Sequence, residues 1–474
     1  MDMLMFQLKK SSATPIYKQL YTEIKQAIIS GKISVETKLP SKRKLAEFLD
    51  ISQTTVELAY GQLVAEGFIE SRPRKGYYAQ AVEELAYLDL PQEEPVIPEK
   101  IDYQFDFNPA QIDTQSFSFS TWRKLAREVI DESNGEFLLA GHPQGDDMLR
   151  QEIARYLFQS RGVVCQPNQI IIGSGTEQLM PLLIRLLPKN LIYGFENPGY
   201  ALTHSIFSHH DRKSLPIPID EDGINVGELE ASPVDVAYVT PSHQFPTGSV
   251  LSATRRAQLL NWATAKPDRY IIEDDYDSEF RYTSRPIPAL QSMDLSGRVI
   301  YISTFSKSLM PSLRIAYMVL PKTLLLEYNK TFLHYSSSVP RLDQQIVAQF
   351  MKEGHFSRHL NRMRKLYKKK LERLTATLAL FSPVVKISGE QAGMHVVLTV
   401  QTPFSEKQLI ERAKAAGIRV FGLHSYDVEK SESPSPRIVI GFGGLSEQQI
   451  EEGIPKLMAS WEISVAKSSS SNER

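Results

Sequence analysis

Between Gln80 and Ile101 the chain carries Glu83, Glu84, Glu93, Glu94 and Glu99, interspersed with Pro91, Pro95 and Pro98. Such a composition keeps a segment extended and semi-rigid, and it does not build a packed core. One folded unit therefore ends before this stretch and another starts after it. The expected organisation is a small module over 14–80, a linker over 81–104 and a large domain over 105–465. A polar tail over 466–474, with Ser468–Arg474 at its end, is expected to be disordered. Residues 1–80 hold 12 Lys and Arg against 8 Asp and Glu, whereas Ala81–Asp113 holds nine acidic residues and one Lys, Lys100. That asymmetry suggests a basic module on a neutral body, the whole chain carrying a formal charge of −1. Chance clustering on a solvated face explains the charge alone equally well.

The small module reads as three helices and a hairpin. Ile16, Leu20, Ile24, Ala27 and Ile28 stand at helical spacing, and Gly31 follows as a stop. Ser41 is the expected cap of a second helix with Leu45, Ala46 and Leu49 buried, and Ser52 caps a third with Val56, Ala59, Tyr60 and Leu63 on one face. Phe68–Ser71 and Tyr77-Tyr78 flank the basic turn Arg72-Pro73-Arg74-Lys75-Gly76. Three helices and a basic hairpin make a winged helix-turn-helix, whose third helix enters the major groove of double-stranded DNA. The candidate DNA contacts are Gln53, Thr54 and Thr55 on that helix, Ser41, Lys42 and Arg43 at the second helix N-terminus, and Arg72, Arg74 and Lys75 on the wing. A helical protein-interaction domain with a solvated basic face is the alternative that patterning leaves open.

Two segments separate these readings. Leu39-Pro40-Ser41-Lys42-Arg43-Lys44-Leu45-Ala46 and Leu63-Val64-Ala65-Glu66-Gly67 resemble the winged helix of the GntR family of bacterial regulators. The resemblance implies DNA binding. It departs at Gln53, where the family often has Arg, which implies a weakened phosphate or guanine contact.

After residue 105 short apolar runs alternate with helical patterns. Ile170–Ile172, Val236–Val239, Tyr270–Ile272 and Val299–Ile302 are runs of the kind buried in parallel sheets, so the large domain is expected to be α/β. Four motifs carry chemistry. In Ser303-Thr304-Phe305-Ser306-Lys307, a Lys at a strand end can form a Schiff base with an aldehyde cofactor, with hydroxyls beside it and the planar fork of Arg314 seven residues on. In Glu273-Asp274-Asp275-Tyr276-Asp277, a carboxylate at a strand end can hold a pyridinium nitrogen protonated, and Tyr276 can reach the ring's phenolic oxygen. A metal held by Asp274, Asp275 and Asp277 is the disfavoured alternative, because no His motif accompanies them, and no metal is expected. Gly173-Ser174-Gly175-Thr176-Glu177 is a glycine-rich turn that presents N–H groups to phosphate. Tyr200, in Glu196–Tyr200, can stack on a cofactor ring or serve as a core aromatic.

Together these motifs resemble a fold-type I aminotransferase domain. With the N-terminal module, and with Thr240–Gly248 and Glu273–Phe280 especially close, the chain resembles the MocR subgroup of GntR regulators over nearly its full length. The resemblance implies a mainly parallel central sheet, a smaller C-terminal α+β subdomain and a homodimer. It implies pyridoxal phosphate on Lys307, Asp274 at the pyridine nitrogen and Tyr276 at the phenolic oxygen. Gly175, Thr176, Ser306 and Arg314 would hold the phosphate, with Thr304 and Tyr200 nearby. Arg437 stands where aminotransferases bind the substrate α-carboxylate and is the candidate effector contact; a surface Arg opening a strand is the alternative.

The departures bear on turnover. Phe245 takes the place of the Asn of N-P-T-G, and Ala140–Gly145 lacks the Tyr that reaches a neighbouring subunit's phosphate. Leu202 stands where a γ-aminobutyrate-sensing relative has Arg, which disfavours that effector. The expected function is a DNA-binding regulator whose large domain senses an amine, an amino acid or pyridoxal phosphate itself. A working aminotransferase with an accessory module is the alternative. The single cysteine, Cys165, rules out a disulfide framework within the chain. No stretch approaches the ~20 apolar residues of a membrane helix, so a soluble, cytoplasmic protein is expected.

Overall fold

A computed structural model describes residues 8–9, 14–81, 102–282, 287–332, 334–430 and 435–465. Residues 82–101 of the expected linker and the expected tail 466–474 lie outside the described residues. The chain divides into two compact units, Met1–Glu99 and Lys100–Arg474.

The first unit is built on α1 (Ile16–Ile29), α2 (Lys42–Leu49) and α3 (Gln53–Ala65), followed by β1 (Ile69–Arg72) and β2 (Gly76–Ala79). Leu20, Ile24, Leu45, Val56, Ala59, Tyr60 and Leu63 close one core, so the helical spacing in the sequence marks the buried faces. The hydroxyls of Ser41 and Ser52 accept from the N–H groups of Lys44 and Thr55, which starts α2 and α3 as capping predicts. After Gly67, with φ +80°, the chain turns into an antiparallel hairpin in which Ile69 pairs with Ala79 and Arg72 with Gly76.

The second unit opens with β3 (Phe105–Asp106), α4 (Phe119–Val129) and α5 (Asp147–Arg161). Then come β4 (Ile170–Gly173), α6 (Thr176–Leu186), β5 (Tyr193–Asn197), β6 (Ser214–Asp220), β7 (Gly223–Ile224), β8 (Val236–Val239), β9 (Tyr270–Asp275), β10 (Val299–Thr304) and β11 (Ala316–Val319). These strands form one eight-stranded sheet in the order β4-β11-β10-β9-β8-β5-β6-β7. The β10-β9-β8-β5-β6 stretch is parallel; β11 runs against both of its neighbours, and β7 against β6. The apolar run Ile170–Ile172, expected in a parallel setting, therefore pairs antiparallel with β11. Both faces of the sheet are buried, which is why its strands read as unbroken apolar runs.

The C-terminal part adds β12 (Val385–Ser388), β13 (His395–Val400), β14 (Ile418–Arg419), β15 (Phe421–Gly422) and β16 (Arg437–Gly441). A four-stranded antiparallel sheet, β12-β13-β16-β15, packs with the long helix His355–Ala379 and the helix Glu447–Ser460, while β14 pairs with β3. The mainly parallel sheet and the smaller α+β subdomain are those expected. No helix among the described residues is long and apolar enough to cross a membrane.

Candidate functional site

In a doubly wound sheet, ligands sit beyond the carboxyl ends of the strands. Here those ends are Gly173, Asn197, Val239, Asp275 and Thr304. A cavity of about 390 Å³ opens beside them, and all nine candidate cofactor residues line it: Gly175, Thr176, Tyr200, Asp274, Tyr276, Thr304, Ser306, Lys307 and Arg314.

Strand alternation sorts the acidic run. Glu273 and Asp275 face away from the cavity. The Glu273 carboxylate accepts from the N–H groups of Leu290 and Gln291 at 2.7 and 2.8 Å. Asp275 takes the Arg161 guanidinium at 2.8 Å and the Tyr301 hydroxyl at 2.6 Å, all deeply buried. Asp274 points the other way. The Tyr238 hydroxyl donates to its Oδ2, and its buried Oδ1 has no hydrogen-bond partner among the described residues. Burial raises the Asp274 pKa to about 7, Asp275 and Asp277 adding to the rise and the Tyr238 bond opposing it. An orphaned carboxylate oxygen in a closed site is costly. A protonated ring nitrogen satisfies it, so this position fits a pyridine-type cofactor. The three aspartates of the disfavoured metal reading point to different partners.

Lys307 follows β10 in the short helix Phe305–Ser308, started by the Thr304 hydroxyl accepting from the Ser306 N–H. Its ammonium donates to the Pro109 carbonyl. Desolvation lowers its pKa to about 8, although the Asp277 carboxylate pulls the other way. A lysine so placed supplies neutral amine near neutral pH.

The anion-binding end is a cup. Gly175, with φ +146°, precedes α6, and a Cβ there would lie 2.4 Å from Arg314 Nη2 and 2.5 Å from Glu177 Oε2. Only glycine leaves that space open. The Thr304 and Ser306 hydroxyls stand 2.9 Å apart beside it. Helix-terminal N–H groups, two hydroxyls and a guanidinium are what a phosphate requires.

Residues that sequence reasoning missed line the cavity or stand just behind its lining. His243 Nδ1 lies 3.0 Å from Asp277 Oδ2 and 3.0 Å from the Tyr276 hydroxyl, so the predicted ring contact Tyr276 is braced by a buried histidine–carboxylate pair. His395 Nε2 lies 3.1 Å from the Pro246 carbonyl, and the His243 and His395 rings are 4.8 Å apart. His243, Asp277 and His395 bring one ligand-type atom each within 4.8 Å of one another. His395, Met394 and Tyr426 come from the C-terminal part, more than 80 residues beyond Lys307, and no local pattern announces them. Tyr200 is 42% exposed on the cavity wall, which removes the core-aromatic alternative, and its ring meets Phe245 edge-on at 5.9 Å.

Arg437 is not in this cavity. It opens β16 opposite Thr399, whereas the cavity residue His395 pairs with Gly441 at the strand's far end. Four residues of extended chain separate the two positions by about 13 Å. Arg437 instead lines a second groove with Glu406, Asp427 and Pro436, so the structure does not bring the candidate effector contact together with the cofactor residues.

On the small unit, Gln53 and Thr54 are exposed at the start of α3. Thr55 is half-buried, with its hydroxyl 2.7 Å from that of Ser52, so it serves the cap, as does Ser41. Lys42 is paired with Glu57 and Arg43 with Glu47. Arg72 makes two bonds to Glu36 at 2.6 and 2.7 Å, a third to Glu70, and lies over the Tyr78 ring. Arg74 and Lys75 are exposed at the hairpin turn, Arg74 with φ +60°.

Comparison with known proteins agrees with both units. The model for aminotransferase class I and II matches residues 105–457, and that for bacterial regulatory proteins of the gntR family matches 16–78. The HTH-type transcriptional regulator YdeL of Bacillus subtilis (strain 168) is 43% identical over 98% of this chain and 100% of its own length. The probable rhizopine catabolism regulatory protein MocR of Rhizobium meliloti is 31% identical over 96% of each chain. The crystal structure of Pyrococcus horikoshii kynurenine aminotransferase superposes with a TM-score of 0.67 at 26% identity, covering 76% of this chain and 91% of that one. A winged helix of one family and an aminotransferase fold of another, joined in one chain and matched end to end by such relatives, place it: the chain belongs to the MocR subgroup of GntR-family transcription regulators.

Proposed function

We propose that this regulator captures pyridoxal phosphate on Lys307, and that occupancy of the site alters how its winged helix engages operator DNA. The occupant that carries the signal is an amine or amino acid exchanging with Lys307, or the cofactor itself. When bound, the cofactor supplies an electrophilic aldehyde and an electron-withdrawing ring. Asp274 would hold a proton at the ring nitrogen, and Tyr276, braced by His243, would meet the phenolic oxygen. Gly175, Thr176, Thr304, Ser306 and Arg314 would hold the phosphate, and Tyr200 would stack on the ring. Lys307 contributes a neutral nucleophile, its proton loosened by burial.

The observation that carries this reading is the orphaned Asp274 oxygen in one cavity with a low-pKa lysine and a phosphate cup. Phe245, where aminotransferases place a polar group, favours sensing over turnover. A homodimer suits the reading, because two winged helices meet two half-sites. Exposed Leu138, Leu139, Phe158 and Val164 offer apolar surface for self-association.

The test is a titration of the full chain with pyridoxal phosphate, followed by visible absorbance. An amine library comes next, and each hit is scored for operator binding at fixed salt. The reading predicts a visible band that Lys307→Ala lacks and a DNA affinity that changes with occupancy. A band independent of Lys307, or DNA binding indifferent to every occupant including the cofactor, overturns it.

A further inference from the structure

The phosphate cup already contains an anion of the chain's own. Glu177 sits in the first turn of α6, and its carboxylate is ion-paired with Arg314, the cup's guanidinium. Both side chains are 48% exposed. They close directly over the Gly175 α-carbon, within 2.5 Å of where a Cβ would stand. Glu177 lines the cavity together with Thr176, Thr304, Ser306 and Arg314. A carboxylate there occupies the Arg314 guanidinium that a phosphate would use, beside a helix N-terminus that favours any anion, and the guanidinium fork can donate to either. Two anions cannot share one guanidinium and one helix end without repulsion. A phosphate entering the cup must therefore turn the Glu177 side chain out towards solvent.

We propose that Glu177 sets how tightly the site retains a phosphorylated aldehyde, by competing with the phosphate for Arg314. This rests on the reading that Lys307 captures such an aldehyde. The competitor is weak by construction. Exposed ion pairs are easily broken, and a side chain at a helix start has room to swing out. The carboxylate consequently loosens the phosphate without excluding it. Retention then follows cofactor supply, which suits a domain that reports occupancy better than one that keeps its cofactor permanently. The effect is confined to the phosphate end. The aldehyde, the ring nitrogen and the phenolic oxygen are met by Lys307, Asp274 and Tyr276, none of which touches Glu177 in the structure.

That confinement provides the test. Full-length wild type, Glu177→Gln and Glu177→Ala are titrated in parallel with pyridoxal phosphate and with pyridoxal, which lacks the phosphate. Binding is followed by visible absorbance and, independently, by inorganic phosphate as competitor. Gln keeps the shape and can still accept from Arg314, so folding is guarded, and Ala checks that charge and not size is responsible. Both variants are expected to bind pyridoxal phosphate roughly three- to tenfold tighter, the range set by a partly exposed like-charge contact. Inorganic phosphate should compete more strongly in both, and pyridoxal should bind as in wild type. Unchanged or weaker pyridoxal phosphate binding in both variants overturns the proposal, as does an equal gain for pyridoxal. If wild-type Lys307 captures neither aldehyde, the cofactor reading itself falls and takes this proposal with it.

Discussion

The two ends of this chain handle charge in opposite ways. On the winged helix three of the candidate DNA-contact cations are exposed or half-exposed and are matched by the module's own acids: Lys42 by Glu57, Arg43 by Glu47, Arg72 by Glu36 and Glu70. Such pairs are screened and cheap to exchange, so phosphates can replace them. In the large domain the decisive groups are buried, and some lack partners: Asp274 keeps one oxygen unsatisfied, and so does Glu196, whose pKa burial raises to about 7. A buried unsatisfied charge is held in place by the rest of the fold and waits for one kind of partner. The surface reader can therefore trade partners continuously, as the half-exposed Arg314–Glu177 pair can, whereas the buried carboxylates of the interior take one kind of partner.

The sharpest break of that contrast lies at Lys307. Lys307→Ala should remove the visible band and weaken cofactor binding at least about a hundredfold, since no neighbouring amine replaces a covalent bond. The pH dependence follows from its position. Only the neutral amine attacks, and with the pKa lowered to about 8, about one molecule in ten is reactive at pH 7. The capture rate should rise close to tenfold per pH unit below pH 8 and level off above it. Stopped-flow absorbance between pH 6 and 9.5 checks this. A rise that continues undiminished to pH 9.5 would mean that the lysine behaves as if it were exposed.

Asp274 should show that the interior site is costly as well as selective. Asp274→Asn removes the charge that holds the ring nitrogen's proton, and cofactor affinity should fall about ten- to a hundredfold, the range for a charge-assisted bond. The same change should stabilise the cofactor-free protein, with a defined sign. The folded carboxyl has a pKa of about 7, against about 3.9 unfolded, so the folded state binds the extra proton between these values. Its ionisation therefore costs stability progressively as pH rises from about 4 to 7, and the cost is complete above 7. The Asn variant should melt roughly 2–4 °C higher than wild type at pH 8, with only about a third of that gain at pH 5. Calorimetry at the two pH values without cofactor decides it; an equal gain at both would show that packing, not charge, is responsible.

How much of this was legible beforehand depended on whether a feature is local. Buried strands announce themselves as apolar runs, and the glycine turn, the acidic run and the Lys307 segment each carry their chemistry within a few residues of a strand end. Even so, the antiparallel setting of β4 was not readable, because a run buried on both faces looks alike whichever way its neighbour points. Pairings across the chain were invisible. His395 reaches the cavity only because the start of β13 meets the segments that follow β8 and β9, at Pro246, His243 and Asp277, and Tyr276 meets His243 only because two neighbouring strands end together. The position of Arg437 is not local information either: its motif gives a strand, but the register with β13, which no local pattern encodes, decides which end faces the cavity. The acidic partners of Lys42 and Arg72 were likewise hidden, since Glu57 and Glu36 stand 15 and 36 residues away.

The surface side of the comparison is tested by smaller effects. Lys75 is exposed on the wing turn. Lys75→Ala should weaken operator and non-specific DNA alike by about threefold, and it should reduce the slope of log affinity against log salt by about one. Fluorescence anisotropy between 50 and 200 mM salt measures both. An unchanged slope would remove the wing from the phosphate contacts.

The finest test asks whether an internal acid restrains a DNA contact. Lys42 stands at the N-terminus of α2, and Glu57, one turn into α3, holds its ammonium. The pair raises the Lys42 pKa, the Glu57 hydrogen bond being the main cause and Tyr77 a lesser one, so the lysine is charged at any working pH and only its availability is in question. Glu57→Gln leaves a neutral acceptor in place and removes a negative charge from beside the candidate contacts Lys42 and Gln53. Affinity should rise about two- to threefold at low salt, and the gain should vanish near 0.5 M salt, where the Debye length is only a few ångströms. Because the change removes a repulsion as well as a competitor, the salt slope separates the two. A freed lysine adds a phosphate contact and steepens the slope by about one, whereas lost repulsion alone leaves it nearly unchanged. A gain that persists at high salt would mean that Glu57 shapes the fold of α3, and the exchangeable surface described above would then be less exchangeable than its ion pairs imply.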